Sequence, residues 1–305
     1  MKPALISLFA LATLTGCALS NADAETDQND FGCTLASEDS STLEQWREDG
    51  FAAQQTDEGV RDFATCLEHP DPFLRDKIGY EGLTAALRSG NISELVRRDL
   101  MSDLSESLFS DDADGFRAPF AALALAELVR SDRIEPFLTS AERQNVSEAA
   151  AIYLSNVTDY RAFSDDEGWR HGVAHGADVA MQLALNPNVE TGSLEALRLA
   201  VTQQVTARSG HAFTHGEPER LARPVFFMAT REAFAPEDWT TWFETLADPA
   251  PLSNWGEAYQ SETDLARLHN LKAFARVLYI NASLSENEAL QPLSDGAIDL
   301  LKALP

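Results

Sequence analysis

Val96-Arg97-Arg98-Asp99-Leu100-Met101-Ser102-Asp103-Leu104-Ser105-Glu106-Ser107-Leu108 carries an apolar residue at every fourth position: Val96, Leu100, Leu104 and Leu108. That spacing lays four apolar side chains along one face of an α-helix and leaves the charged residues on the other. The next stretch, Phe120 to Ala126, is apolar all round, as a fully buried helix requires. Leu268, Leu271, Ala275 and Leu278 mark a further helical face near the end of the chain. At the other end Ser41 and Glu44 have capping-box spacing, with Leu43, Trp46 and Phe51 behind them. No run of alternating apolar and polar residues competes with these patterns, and the chain reads as all-α.

The breaks between helical stretches fall near Pro70 and Pro72, Asp111 to Gly115, Ser164 to Gly168, Gly210 to Pro218, and Pro249 to Pro251. Asp49-Gly50, Asp114-Gly115 and Asp295-Gly296 lack flanking strands, so they are expected to stop helices rather than turn hairpins. A new helix is expected to start near Phe73. The segments between breaks run about 35–50 residues, the size of one helix pair in a HEAT- or armadillo-like α-solenoid. A closed α/α bundle or toroid is the alternative. Residues 41–305 are expected to form a single α-helical domain.

The composition bounds the function. The chain has 305 residues, 44% hydrophobic and 9% aromatic, enough for a hydrophobic core. Its 49 Asp plus Glu against 23 Lys plus Arg give a net charge of −26. Phosphate binding needs a basic footprint, so nucleic acid is excluded as a partner.

Residues 1–16 have the plan of an export signal: Lys2, then the apolar run Ala4 to Leu14. Leu14-Thr15-Gly16-Cys17 resembles the bacterial lipobox, which implies cleavage before Cys17 and acylation of its thiol. Acyl chains on Cys17 bury enough CH₂ groups to hold a domain at a membrane. Ala18, rather than Asp, follows the Cys, which by this resemblance implies sorting to the outer membrane, facing the periplasm. Residues 17–40 are expected to form an acidic flexible tether. An exported chain with two remaining cysteines is expected to join Cys33 and Cys66 in a disulfide, worth about 3–4 kcal/mol in the chain-entropy picture. The Asn-x-Ser/Thr sites at Asn91, Asn145, Asn156 and Asn281 carry no message in a bacterial lipoprotein.

One stretch is chemically distinctive: Gly168-Trp169-Arg170-His171-Gly172-Val173-Ala174-His175-Gly176-Ala177-Asp178, preceded by Asp159-Tyr160-Arg161. Four of the six histidines fall between residues 171 and 215. On a helix starting near Gly168, His171, His175, Asp178 and Gln182 share a stripe about 60° wide. Gly172 and Gly176 lie on another side and each cost about 1 kcal/mol relative to Ala, so a close neighbour is expected there. A second cluster follows, His211 to Arg220, with His211, His215, Glu217 and Arg220, and Arg223 one turn further on. Pro218 fits the first position of a helix.

The run from Gly168 to Asp178 resembles the hallmark of the domain of unknown function 2785 family. That family's usual pattern is Gly-Trp-Ala-His-x-x-Ala-His-Gly-Ala-Asp after an Asp-x-Arg-Gly-Tyr-like element. Leu74 to Tyr80 and Arg117 to Phe120 also fit, and the resemblance covers roughly residues 70–230. This chain has Arg170 where Ala is usual, and Ala162-Phe163 where Gly-Tyr is usual. The resemblance implies an α-helical domain and assigns no activity.

Three roles fit the cluster. It can be a structural polar core of paired histidines and carboxylate. It can be a pocket for a protein, a peptide or a small polar ligand, built from Arg161, Arg170, His171, His175, Asp178, His211, His215, Glu217 and Arg220. Or it can bind a metal such as Zn²⁺ through His171, His175, Asp178 and His215, the arrangement a metal-dependent hydrolase would need. The leading expectation is a binding or scaffolding module without a cofactor. The enzyme is the alternative, although His-Gly-Val-Ala-His lacks the Glu of a His-Glu-x-x-His zinc protease. Trp239, Trp242 and Trp255 are a weak sugar-stacking set and read better as packing residues. No nucleophile elbow, Walker loop or dinucleotide fingerprint is present.

Overall fold

A computed structural model of the protein describes residues 32–305. The lipobox, Cys17 and most of the proposed tether lie outside the described residues. The chain opens with α1 (Ser40–Glu48) and α2 (Asp57–Thr65); a π-helical turn (Phe73–Tyr80) then runs straight into α3 (Glu81–Ser89). Next come α4 (Glu94–Ser107), α5 (Arg117–Ile134) and α6 (Ser140–Asn156). A two-stranded hairpin, β1 (Phe163–Ser164) and β2 (Gly168–Trp169), separates them from α7 (Gly172–Leu185) and α8 (Thr191–Val205). The chain ends with α9 (Glu217–Thr230), α10 (Pro236–Ala247), α11 (Glu262–Ser283) and α12 (Gln291–Ala303). The all-α expectation holds.

The helix faces read from the sequence point inward. Val96, Leu100, Leu104 and Leu108 are all buried, as are Leu268, Leu271, Ala275 and Leu278. Between Phe120 and Ala126 only Leu123 reaches the surface. Helices pack on sequence neighbours and on the helix two further on: α5 lies against α7, α7 against α9 and α9 against α11, α6 against α8 and α10 against α12, while α4 also packs on α5, α6 on α7 and α11 on α12. A buried ion pair ties α5, α6 and the end of α7 together. Asp132 takes the Arg143 guanidinium at 2.7 Å, the Asn186 amide at 2.9 Å and two backbone N–H groups. Such a carboxylate, fully satisfied, fixes how three helices meet.

Cys33 and Cys66 form the expected disulfide, and Cys33 and Leu35 are buried ahead of α1. Trp239, Trp242 and Trp255 are buried packing residues; the Trp242 indole donates to Thr202 and that of Trp255 to the Ala247 carbonyl.

Four local readings shift. Asp39, not Ser41, caps α1, because its carboxylate reaches the Ser41 N–H at 3.0 Å. Asp295-Gly296 lies inside α12 rather than ending a helix; Gly296 is needed there because the Phe243 ring occupies the space of a side chain. Pro218 sits at the second, not the first, position of α9. Finally, no helix begins at Gly168. The hairpin continues through Arg170 N–H to Ala162 C=O and His171 N–H to Arg161 C=O, and α7 starts only at Gly172. No helix among the described residues is long and apolar enough to cross a membrane.

Candidate functional site

The site forms where α7 and α9 begin. His171 is the residue before α7 and holds φ 57°, ψ 40°. That left-handed conformation is unfavourable for a side chain with a Cβ, by about 1–2 kcal/mol. The hairpin imposes it: the chain leaves β2, makes its last ladder bond through the His171 N–H, and must turn at once into the helix. Close packing then sets the glycines of α7. A Cβ on Gly176 would meet Leu154 Cδ1 at 3.1 Å and Tyr153 Cε1 at 3.2 Å; one on Gly172 would meet the Tyr153 hydroxyl at 3.1 Å. The expected close neighbour is therefore α6.

The imidazole of His171 is stacked under the Trp169 indole, with centroids 4.8 Å apart, and meets His175 edge-on at 5.9 Å. Its Nε2 is sealed from solvent and makes no hydrogen bond. The Glu217 carboxylate lies 3.8 Å away, too far for a hydrogen bond, and would attract the ring only if the ring were protonated. Glu217 is 2% exposed, and its other oxygen accepts from the His215 N–H at 2.8 Å. Burial pushes the His171 pKa below its ordinary value, with Glu217 pulling the other way. The ring is thus neutral at pH 7.

His175, one turn on, is enclosed. Its Nδ1 faces the Pro119 carbonyl at 3.1 Å and its ring meets Phe120 edge-on. Burial, then the charges of His171 and Arg220, push its pKa down to about 3. Asp178 follows, 7% exposed. Arg220 donates to it at 3.0 Å, and an Arg223 nitrogen lies 3.9 Å away. Burial still pushes the Asp178 carboxyl up to about 6 against the pull of both arginines.

The structure therefore gathers His171, His175, Asp178, His215, Glu217 and Arg220. It places three other candidates elsewhere. Arg161 is exposed and paired with Asp159. Arg170 is buried under the hairpin, bonded to Glu167 and the Asp114 carbonyl, with its guanidinium 4.1 Å from the Phe116 centroid. His211 is stacked on Tyr160, 5.1 Å between centroids. Among the described residues no group of three or more His, Cys, Asp or Glu is arranged to hold a metal ion. The reason is local: His175 is spent on Pro119, and Asp178 faces guanidinium groups.

Two residues that shape the site lie in the sequence stretches Leu74–Tyr80 and Gly168–Asp178 but were not among the candidates. Arg75 is fully buried and donates to the Glu167 carbonyl at 2.8 Å, bracing the hairpin from the π-helical turn. It also lies over Phe116, 4.1 Å from the ring centroid. Trp169 is 40% exposed, and the Phe163 ring beside it 48%, with centroids 5.0 Å apart.

The His171–Asp178 stretch lies inside the region matched by a family model described as a protein of unknown function, DUF2785, which spans residues 104–280. The match takes in more than half of the 305 residues. The chain belongs to the DUF2785 family. The match starts after the Leu74–Tyr80 segment and runs on through most of α11, so the family core extends from the end of α4 to α11. No curated protein and no solved structure matches this DUF2785 chain.

Proposed function

We propose that the protein is a binding module: an open α-solenoid array that holds a polar ligand where α7 and α9 begin, on a domain exported and anchored through Cys17 to the outer membrane. The packing of helices on near neighbours in the sequence supports the solenoid reading. The carrying observation for the site is His171. A strained backbone, a buried ring nitrogen without a partner and a buried carboxylate 3.8 Å away are jointly costly. Natural sequences retain such costs where they serve recognition.

The donors and acceptors suit a polar ligand. Arg220 uses one nitrogen on Asp178 and leaves its remaining N–H groups for a guest. Arg223 is about half exposed. Trp169 offers a part-exposed indole stacked on His171. A metal-dependent hydrolase at His171, His175, Asp178 and His215 has less support, because two of those four side chains already face other partners.

The experiment is a thermal-shift panel of amino acids, dicarboxylates, monosaccharides and sugar phosphates, run on the wild type and on Arg223→Ala. At least one class should raise the wild-type melting temperature and act less on the variant. A panel without any shift, or with shifts equal in both proteins, contradicts the reading.

A further inference from the structure

The charges of this acidic protein are not evenly spread. Among the helices of one packing row, α6 exposes Glu148, α8 exposes Glu195, and α10 exposes Glu237 and Glu244. The other row, α3, α5, α7 and α9, shows a different surface. Arg88 of α3 is exposed and forms a two-pronged pair with Glu127 of α5. Arg130 lies one turn beyond Glu127 on the same face, partly exposed. Arg133 of α5 reaches Gln182 of α7 at 3.3 Å. Arg220 and Arg223 of α9 converge on Asp178 of α7. Tyr80 lies close enough for both Glu127 and Asp178 to act on its hydroxyl.

These links join four adjacent helices into one continuous face. It carries five arginines (Arg88, Arg130, Arg133, Arg220 and Arg223) against three carboxylates: Glu127 and Asp178, each paired with them, and the exposed Glu219 one turn before Arg223. The chain as a whole has 26 more carboxylates than cations. Apolar side chains lie between the arginines: Leu123 on α5, Met181 on α7 and Phe227 on α9, all partly exposed. Salt at physiological strength screens charges beyond about 8 Å, so the acids of the other row do not cancel the arginines at contact distance.

We propose that this face, spanning α3, α5, α7 and α9, docks an acidic peptide segment of a partner protein, with carboxylates on Arg130, Arg220 and Arg223 and apolar side chains between them. The proposal rests on the binding-module reading and names the ligand class. Guanidinium forks match carboxylates two bonds at a time. The apolar floor favours a peptide over a polysaccharide or polyphosphate, which has no apolar side chains to bury there. Asp178 and Glu127 hold the arginines in place before any guest arrives.

The test uses a fluorescein-labelled dodecapeptide alternating Glu or Asp with Leu or Phe, and a second with Lys in place of the acids. Fluorescence anisotropy is read at 0.15 M salt on the wild type and on Arg130→Glu/Arg223→Glu; neither residue is buried, and a melting curve checks folding. The acidic peptide should bind the wild type at least tenfold more tightly than the basic one, and the double variant should lose at least tenfold. No binding of the acidic peptide, equal binding to both proteins, or preference for the basic peptide overturns the proposal. So does binding of heparin or anionic vesicles, lost in the double variant, without binding of the peptide. If small compounds of the panel bind while the peptide does not, only this inference fails and the binding module stands.

Discussion

The Nδ1 of His175 donates a hydrogen bond to the carbonyl of Pro119 at 3.1 Å, stitching the first turn of α7 to the first turn of α5. The neutral ring, enclosed by Phe120 and His171, also fills space that nothing else would occupy. His175→Ala removes the buried bond and leaves a cavity, and should cost about 1–3 kcal/mol of stability. Urea melts of the two proteins read this directly. Coincident curves would mean that His175 is not part of the packing that joins α5 to α7.

His175 and Asp178 set opposing pH dependences. His175 titrates near 6.5 in an unfolded chain and near 3 in the fold. Below about pH 6.5 the unfolded chain holds a proton that the native state refuses, so stability falls as pH drops toward 3. Asp178 works the other way, at about 6 in the fold against 3.8 unfolded. Between those values the native state takes the proton first, and acidification favours folding. Asp178→Asn should therefore steepen the loss of stability between about pH 6 and pH 4, and His175→Gln should flatten it. Melting temperatures at half-unit pH steps give the slopes; identical slopes in all three proteins would refute both assignments.

Two glycines inside helices should respond with opposite signs. Gly192, in the first turn of α8, has no neighbouring atom within 4 Å of the point a Cβ would occupy, so Gly192→Ala should stabilise by about 0.5–1 kcal/mol through helix propensity alone. At Gly296 a Cβ would fall 1.9 Å from Phe243 Cδ2, and that ring is buried. Gly296→Ala must displace it, at about 1–3 kcal/mol. A Gly296→Ala protein as stable as wild type would show that α10 and α12 pack more loosely than these distances allow.

Anchoring through Cys17 predicts that Cys17→Ser moves the protein from the membrane pellet to the soluble fraction of cells producing it. Persistence of the variant in salt-washed membranes would rule out the lipid anchor.

Much of the helical architecture was legible because apolar periodicity is a local property. Val96, Leu100, Leu104 and Leu108 announce their face without reference to anything distant. The hairpin was not legible, since strands of two residues are too short to alternate. The left-handed His171 was missed for a related reason. Nothing in Arg170-His171-Gly172 demands a turn there; ladder bonds to Ala162 and Arg161 impose it. The candidate cluster was partly legible. Types and spacing pointed to His171, His175, Asp178, Glu217 and Arg220, but could not separate them from Arg161, which pairs with its near neighbour Asp159, or from Arg170, whose partners Glu167 and Asp114 are brought to it by the hairpin. Arg75 braces Glu167 across 92 residues of sequence, a relation visible only after folding.

The central claim is that His171 is kept for recognition rather than for stability, and His171→Asn tests it most directly. Asn tolerates the left-handed backbone better than other side chains and removes the unpaired ring nitrogen, while giving up the stacking on Trp169. The expected result is a variant within about 1 kcal/mol of wild-type stability that no longer responds to the panel compound with the largest wild-type thermal shift. A variant that melts several degrees lower and still answers that compound with the wild-type shift would contradict the claim.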